Sequence, residues 1–283
     1  MDILQKLTEE FPSIRPDRAK NIIDLIDEGN TIPFIARYRK EMTGSCDDQV
    51  LREFNDRLAY LRGLEKRKEE IAKAITEQGK MTDEIAAALA AAATLTEAED
   101  IYRPYKQKKK TRAGVAIERG LQPLAEAILA QDKALDVYAE AAKYIDEEKG
   151  VSTAEEAIAG AKDIIAEIVS DDANVRKKLR NLFMKNGEVV TKLVNAEKEG
   201  AKTYEMYADY SESVAEMKSH RILAVNRGEK EGFLKVKVVF NDVIAKRIAA
   251  AGYLKDGGES TKLVQEAAED GYDRLIYPSI ERE

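Results

Sequence analysis

The chain has 283 residues, which is long enough to bury a sizeable core in roughly one to three domains. Charged residues make up 35% of it and aromatic residues only 6%, and 46 Lys and Arg stand against 53 Asp and Glu, a formal net charge of -7. A negative total charge argues against nonspecific nucleic-acid binding by the molecule as a whole. Any such binding must therefore come from a local basic patch.

The single cysteine and the absence of long apolar stretches limit where the protein works. One cysteine, Cys46, excludes an intramolecular disulfide and a zinc site built from several cysteines. Its acidic neighbours, Asp47 and Asp48, predict a raised thiol pKa. No window approaches the roughly 20 apolar residues of a membrane helix, and the acidic start lacks the basic region of a signal peptide. These features predict a reduced, cytoplasmic protein that does not contact a membrane.

Short helices are predicted at the start of the chain from their end signals. Asp2 is placed to cap a first helix that stops near Pro12. Pro16 marks the start of a second helix, which Gly29 closes, and Pro33 opens a third.

The longest helical pattern runs from residue 47 to residue 79. Its apolar positions follow a three-four spacing: Leu51, Phe54, Leu58, Leu61, Ile71 and Ile75. Glu65 and Lys68 occupy would-be apolar positions, which predicts a long helix in a bundle and not a coiled-coil dimer. Gly63 weakens this helix by about 1 kcal/mol relative to Ala.

Capping boxes mark further helix starts. They are predicted at Thr96 with Glu99 and at Ser152 with Glu155, and a cap at Ser170 or Asp171. Helices are also predicted over about 242–251 and 260–269.

Two β-rich runs, 189–194 and 233–240, predict two short strands that pair with each other. The predicted fold class is therefore mainly α: a multi-helix bundle with helix-turn-helix-like parts and a two-stranded β element near 188–240. The predicted domains are 1–120, an amino-terminal helical region with the long helix, and 121–283, a second helical region with the β hairpin. Because Pro278 looks like the start of a helix with five residues left, we expect the chain to be a fragment of a longer protein.

The motifs of common enzymes are missing. The chain has no nucleotide-binding glycine loop, no G-x-S-x-G and no H-E-x-x-H. His220 is the only histidine, so no histidine pair can hold a metal, and a structural role is expected for it. The sequence predicts a non-enzymatic protein with no cofactor, metal or small-molecule substrate.

Residues 103–112, called the basic loop below, hold six basic residues and no acid. Pro104 predicts that this segment lies off a helix, where cations can reach phosphates and Tyr102 and Tyr105 can stack on bases. The candidate contacts are Arg103, Lys106, Lys108, Lys109, Lys110 and Arg112. A solvated or protein-interaction loop is the alternative.

Two weaker basic segments accompany it. In residues 31–44, Ile32, Phe34 and Ile35 are expected in the core, and a helix-turn-helix interpretation is open. The displayed cations there are Arg37, Arg39 and Lys40. Arg176 and Arg180 share a helix face, for which a solvated basic face is expected over a phosphate site.

Four long segments resemble the bacterial Tex transcription-accessory family. They are TIPFIARYRKEMTG at 31–44, DIYRPYKQKKKTRAGVAIERGLQPLA at 100–125, SHRILAVNRGEKEG at 219–232 and GYDRLIYPSIERE at 271–283. The family is related to a eukaryotic transcription elongation factor that also handles histones. The resemblance implies a helical amino-terminal region with helix-turn-helix-like parts. In the complete protein an RNase-H-like domain, a helix-hairpin-helix module and an OB-fold RNA-binding domain follow.

Two functional hypotheses result. The first is the amino-terminal scaffold of a Tex-like transcription accessory factor that binds RNA or DNA in its full-length form. The second is a protein-interaction scaffold that docks on the transcription machinery or on its own later domains without touching nucleic acid. In either case Arg221 and Arg227, beside an expected turn at 220–232, are expected to tie helices together or brace a later domain.

Overall fold

A computed structural model describes residues 2–255 and 258–283 of the protein. The predicted mainly-α class is confirmed, since the structure is 67% helical with one small antiparallel sheet. The chain forms two compact units, Met1–Tyr105 and Lys106–Glu283.

The first unit is built from helices and connecting loops, with no strand in its described residues. Its helices are α1 (Ile3–Glu10), α2 (Pro16–Asp27), α3 (Ile32–Tyr38), α4 (Lys40–Thr43), α5 (Asp48–Glu77), α6 (Asp83–Ala91) and α7 (Leu95–Tyr102), followed by a 3-10 turn at Arg103–Tyr105. The predicted starts of α1 and α2 are confirmed: Asp2 accepts a hydrogen bond from the Gln5 amide at 3.0 Å, and Pro16 is the first residue of α2.

The predicted long helix is confirmed as α5, whose 30 residues span about 45 Å. Asp47 caps it by accepting from the Val50 amide at 2.9 Å. Its amino-terminal half packs against α1, α2 and α3, and its carboxyl-terminal half packs against α6 and α7. One helix therefore serves two separate apolar clusters.

The residues that break the heptad of α5 form a buried polar contact. The Lys68 side chain is buried, and its ammonium lies 3.0 Å from Glu65 and donates to the Ala90 carbonyl at 3.1 Å. Ala90 is in the last turn of α6, where a cation satisfies carbonyls that have no partner within the helix. Lys68 thus joins α5 to the end of α6.

The capping box of α7 lies two residues before the predicted position. Thr94, not Thr96, is the cap: it accepts from the Glu97 amide at 3.2 Å, and Glu97 accepts from the Ala93 amide at 2.8 Å. The segment contains two overlapping boxes, and local sequence cannot choose between them. The observed choice leaves Glu99 free to bind Arg67 at 2.6 Å.

The same ambiguity affects the helix Ala154–Asp171, whose capping box lies one residue after the predicted position. Thr153 is the cap in place of Ser152, and Glu156 in place of Glu155 is its partner, accepting from the Ser152 amide at 2.7 Å. The predicted cap at Ser170 or Asp171 is also wrong, because the helix continues through both and Asp172 caps the next one.

The second unit combines helices with a sheet. Its helices are α8 (Arg112–Glu118), α9 (Gln122–Ala130), α10 (Val137–Ala142), α11 (Ala154–Asp171), α12 (Ala173–Asn186), α13 (Ser219–Lys230), α14 (Asp242–Ala251), α15 (Gly258–Gly271) and α16 (Tyr277–Ile280). Its strands are β1 (Glu188–Leu193), β2 (Asp209–Ser213) and β3 (Leu234–Val239).

Helix α11 lies at the centre of this unit, packed against α8, α9, α10 and α15. Small residues permit the approach of α15. A Cβ added at Gly271 would lie 2.7 Å from the Ala166 carbonyl oxygen and 3.2 Å from the Ala166 Cα. Because both atoms belong to the backbone of α11, the two helices can pack this closely only with glycine at position 271.

The sheet has three strands in the order β2-β1-β3, all antiparallel. The predicted pair is confirmed as β1 and β3, with Val189 opposite Val238. The prediction of only two strands is wrong, since β2 pairs with the other edge of β1. Its sequence, DYSES, has no β-branched residue and one aromatic, so pairing and not intrinsic preference makes it a strand.

The turn expected at residues 220–232 is instead largely the helix α13. Gly228 is buried inside this helix. A Cβ there would meet the Leu234 Cδ1 atom at 2.6 Å and the Tyr204 Cδ1 atom at 2.9 Å. The glycine therefore serves close packing of α13 on β3.

A nearly continuous helical run, 258–280, ends the chain. The helical turn predicted at Pro278 is confirmed, but Pro278 is the second residue of α16 and not its first. A π-helical turn at Tyr272–Ile276 separates α15 from α16. Proline removes a backbone donor inside a helix, and a widened turn next to it accommodates that loss.

Two arginines on α12 converge on Glu283. The Arg176 guanidinium lies 2.6 Å from one Glu283 oxygen and 2.9 Å from the Ser279 hydroxyl, and Arg180 lies 2.6 Å from the second Glu283 oxygen. The expected solvated basic face is wrong for Arg176, whose exposure is 0%. Burial acts to raise the pKa of Glu283, but the two guanidinium groups stabilise its carboxylate and the net pKa is lowered.

The Glu283→Gln variant should lower the free energy of unfolding at neutral pH by about 2 kcal/mol, because a buried guanidinium loses its charged acceptor. A carboxyl with a lowered folded pKa stabilises fully above its unfolded pKa, and this is lost as pH falls through the folded value. The gap between variant and parent in urea unfolding should therefore close on acidification below about pH 4. The exposed Glu147→Gln variant is the control, and equal stability of both variants would contradict the prediction.

Substitution of two helical glycines by alanine should have opposite effects. Gly271→Ala should lower stability by about 1–3 kcal/mol because it separates α11 from α15. Gly63→Ala should raise it by up to about 1 kcal/mol, since an added Cβ meets nothing within 4 Å. Thermal unfolding of both variants checks this, and a shift of the same sign in both would refute it.

Candidate nucleic-acid interface

The basic loop begins as a 3-10 turn, continues without regular structure over residues 106–111 and enters α8 at Arg112. The prediction that it lies off a helix is therefore confirmed for its central residues. Thr111 fixes its end by accepting from the Gly114 amide at 2.9 Å. Gln78 donates to the Tyr105 carbonyl at 2.9 Å and fixes its beginning.

The two tyrosines of this segment are not displayed for base stacking. Tyr102 and Tyr105 are half-buried and pack against the apolar cluster of α5, α6 and α7. The Arg67 guanidinium carbon lies 5.6 Å from the centre of the Tyr102 ring. Their aromatic surface is thus used inside the first unit.

Lys108 is held by carboxylates and does not point freely into solvent. Its ammonium forms an ion pair with Asp171 and lies 3.4 Å from Glu167. Both acids are in the last turns of α11, where the helix dipole also favours a cation. Lys108 was predicted to contact phosphate, but its ion pairs fix the loop to α11 instead.

Lys106, Lys109 and Lys110 have a different environment. All three are exposed, and none forms an ion pair or side-chain hydrogen bond with residues 2–255 or 258–283. Three neighbouring ammonium groups without carboxylate partners produce a local positive field in an acidic protein. They are the part of the basic loop that an anion can reach.

The arginines at the two ends are less suited to phosphate. Arg103 is half-buried in the 3-10 turn. Arg112 is exposed at the start of α8, but it borders a groove that also contains Glu155, Asp163 and Glu266. The acids of this groove repel an anion.

The cations predicted in residues 31–44 are displayed, and so are two aromatic rings, one of which was expected in the core. Arg37, Arg39 and Lys40 are all exposed. Phe34 was expected in the core, but it is 36% exposed, and Tyr38 is 60% exposed. The i, i+4 spacing of Phe34 and Tyr38 was the available signal, since it places both rings on one helix face.

The helix-turn-helix interpretation of this region stays a prediction. Helix α4 has four residues and follows α3 after Arg39 alone. Asn21 of α2 donates to the Met42 carbonyl at 3.1 Å, and Arg18 donates to the Glu41 carbonyl. These bonds hold α4 against α2.

Cys46, next to this region, is partly buried. Burial, together with the Asp47 carboxylate, raises the pKa of Cys46 as predicted, and the thiol donates to the Thr43 carbonyl at 3.1 Å.

His220, expected to be structural, is exposed at the start of α13. Arg221 joins α13 to β2 through Glu212, and Arg227 pairs with Glu231 at 2.8 Å along α13.

The described ranges contain neither a candidate metal site nor a candidate membrane span. No cluster of three or more potential metal ligands occurs there. None of the helices in those ranges combines the length and apolar character that crossing a bilayer requires.

Family models match both parts of the chain. Residues 1–76 match the model described as "Tex-like protein N-terminal domain", and residues 132–283 match the one described as "Tex central region-like".

Curated relatives agree with these matches. The chain is 43% identical over 281 residues to the YdcI protein of Bacillus subtilis (strain 168), across 99% of this chain and 39% of that protein. It is 41% identical over 240 residues to the transcriptional accessory protein Tex of Neisseria gonorrhoeae, across 85% of this chain and 31% of that protein. Identity to the S1 RNA-binding domain-containing protein 1 of Homo sapiens is 33% over 301 residues, across 100% of this chain and 29% of that protein.

The chain thus spans between 29% and 39% of the length of these relatives. Its two family-model matches and its identity to a named Tex protein lead to one conclusion: the chain belongs to the Tex family of transcription accessory proteins.

Proposed function

We propose that this chain is the helical scaffold of a Tex-like transcription accessory factor and that it contacts the phosphates of RNA or DNA through the basic loop. The observation that carries the proposal is the trio Lys106, Lys109 and Lys110, exposed and without ion-pair partners in the described residues. Relatives named as a transcriptional accessory protein and as an S1 RNA-binding-domain protein support a nucleic-acid ligand.

The mechanism is electrostatic and independent of base sequence. Each lysine that neutralises a phosphate releases a condensed counterion, so affinity falls as salt rises. Lys108 contributes indirectly, because its ion pairs with α11 hold the three neighbouring lysines in one place. The net charge of -7 opposes binding by the surface as a whole, so that binding depends on local basic patches such as this one.

A protein-interaction scaffold is the second candidate, and exposed apolar side chains favour it. Val243 and Ile244 on α14 are 68% and 43% exposed, and Leu223 on α13 is 70% exposed. Apolar contacts of this kind carry little salt dependence. A partner held by them would bind equally well at high and low salt.

Replacement of all three free lysines by glutamine should weaken binding of labelled RNA or DNA by the 283-residue chain. The slope of log affinity against log salt should become shallower by about two, since each lost contact to single strands removes about 0.7. Fluorescence anisotropy over a salt series measures it. The control replaces Lys20, Lys66 and Lys80, which are exposed but scattered, and should leave the slope unchanged. No binding by the parent at low salt, or equal slopes for both variants, would refute the proposal.

Lys108→Gln should behave differently from its neighbours. It should lower the free energy of unfolding by about 1 kcal/mol, because Asp171 and Glu167 lose a charged donor. The salt slope of binding should stay at the parent value. A slope change as large as one third of that caused by the triple variant would show that Lys108 itself contacts phosphate.

A further inference from the structure

Helix α3 presents two aromatic rings to solvent. Phe34 and Tyr38 lie one turn apart, their ring centres are 5.2 Å apart, and the ring planes are tilted by 46°. Phe34 is 36% exposed and Tyr38 is 60% exposed. Both rings leave aromatic surface open to a ligand.

An arginine lies close to each of these rings. The Arg39 guanidinium carbon lies 5.2 Å from the Phe34 ring centre, and the Arg37 guanidinium carbon lies 6.0 Å from the Tyr38 ring centre. Lys40, the residue after Arg39, is also exposed. No acid occurs in residues 31–40, and none of the three cations pairs with a carboxylate in the described part of the chain.

The other side of α3 holds this face in position. Ile35 is 0% exposed, and Ile32 and Ala36 pack against the same apolar cluster as α5. The hydrogen bonds from Asn21 and Arg18 to α4 fix the residues that follow. A ligand would therefore meet rings whose backbone is already ordered, which lowers the entropy cost of binding.

We propose that this aromatic-basic face (Phe34, Arg37, Tyr38, Arg39 and Lys40) binds unpaired bases of a single-stranded nucleic acid. The rings stack on the bases, and the cations contact the adjoining phosphates. Arginine planes can stack on bases as well, so the guanidinium groups near the rings extend the stacking surface. The inference rests on the proposed function in one respect, namely that the ligand is a nucleic acid.

Stacking distinguishes a single strand from a duplex, which the lysines of the basic loop cannot do. Bases within a duplex are covered on both faces by their neighbours, so an exposed ring gains contact only with an unpaired base. Phosphates are present in both forms, and lysines alone do not discriminate strongly between them. Tyrosine and arginine also occur at protein interfaces, but three cations that form no ion pair with a described carboxylate favour a polyanion.

The test compares an oligothymidylate single strand with a mixed-sequence DNA duplex, both fluorescently labelled, against the 283-residue chain. The double variant Phe34→Leu/Tyr38→Ser should bind the single strand about tenfold more weakly and the duplex less than about twofold more weakly. Its salt slope should stay at the parent value, since no cation is removed. Tyr38→Phe should retain single-strand binding because the stacking ring remains.

Tyr138→Ser is the matched control, since Tyr138 is 50% exposed and belongs to the second unit. Thermal unfolding of each variant verifies that the fold is retained. Unchanged single-strand binding by the double variant, or equal losses for single strand and duplex, would overturn the inference and favour a protein ligand for this face. If the parent binds neither DNA form at low salt, the proposed function fails together with this inference. If the parent binds through the basic loop alone, only this inference fails.

Discussion

Small residues on α11 set how closely the rest of the second unit can assemble. Ala157, Ala161 and Ala166 are fully buried, and Gly271 of α15 meets the α11 backbone directly. Close packing of this kind replaces water contacts by dispersion contacts along the full length of a helix. The position of the basic loop follows from it, because Lys108 binds acids at the end of α11 and α8 packs against the same helix.

The fold could be predicted from the sequence wherever one signal acted alone. Asp2, Pro16 and the apolar spacing of α5 have no competing alternative nearby, and each leads to the observed helix. Thr94 and Thr96 each start a complete capping box, so the choice between them depends on which register satisfies the core. Strand β2 could not be predicted because β1 supplies its stabilisation, and a single chain segment carries no sign of its pairing partner.

The charge of the candidate site could be predicted from the sequence, but not which of its cations are free to contact a ligand. Six cations in the basic loop are visible in the sequence, yet Lys108 is distinguished from Lys109 only by acids that are distant in sequence. Similarly, Phe34 was expected in the core because apolar residues usually are. Its exposure depends on which side of a seven-residue helix faces α5, and Ile35 determines that side.

The two apolar clusters along α5 have a consequence for the motions of the first unit. Leu61 belongs to the amino-terminal cluster and Leu64 to the carboxyl-terminal cluster, so Gly63 lies where the support of the helix passes from one to the other. An amide proton near this junction can exchange when either of the two regions opens. Hydrogen exchange should therefore be fastest there among the interior turns of α5. The exposed face of α3 depends on the first of these clusters, because Ile32, Ile35 and Ala36 of α3 belong to it or pack against it.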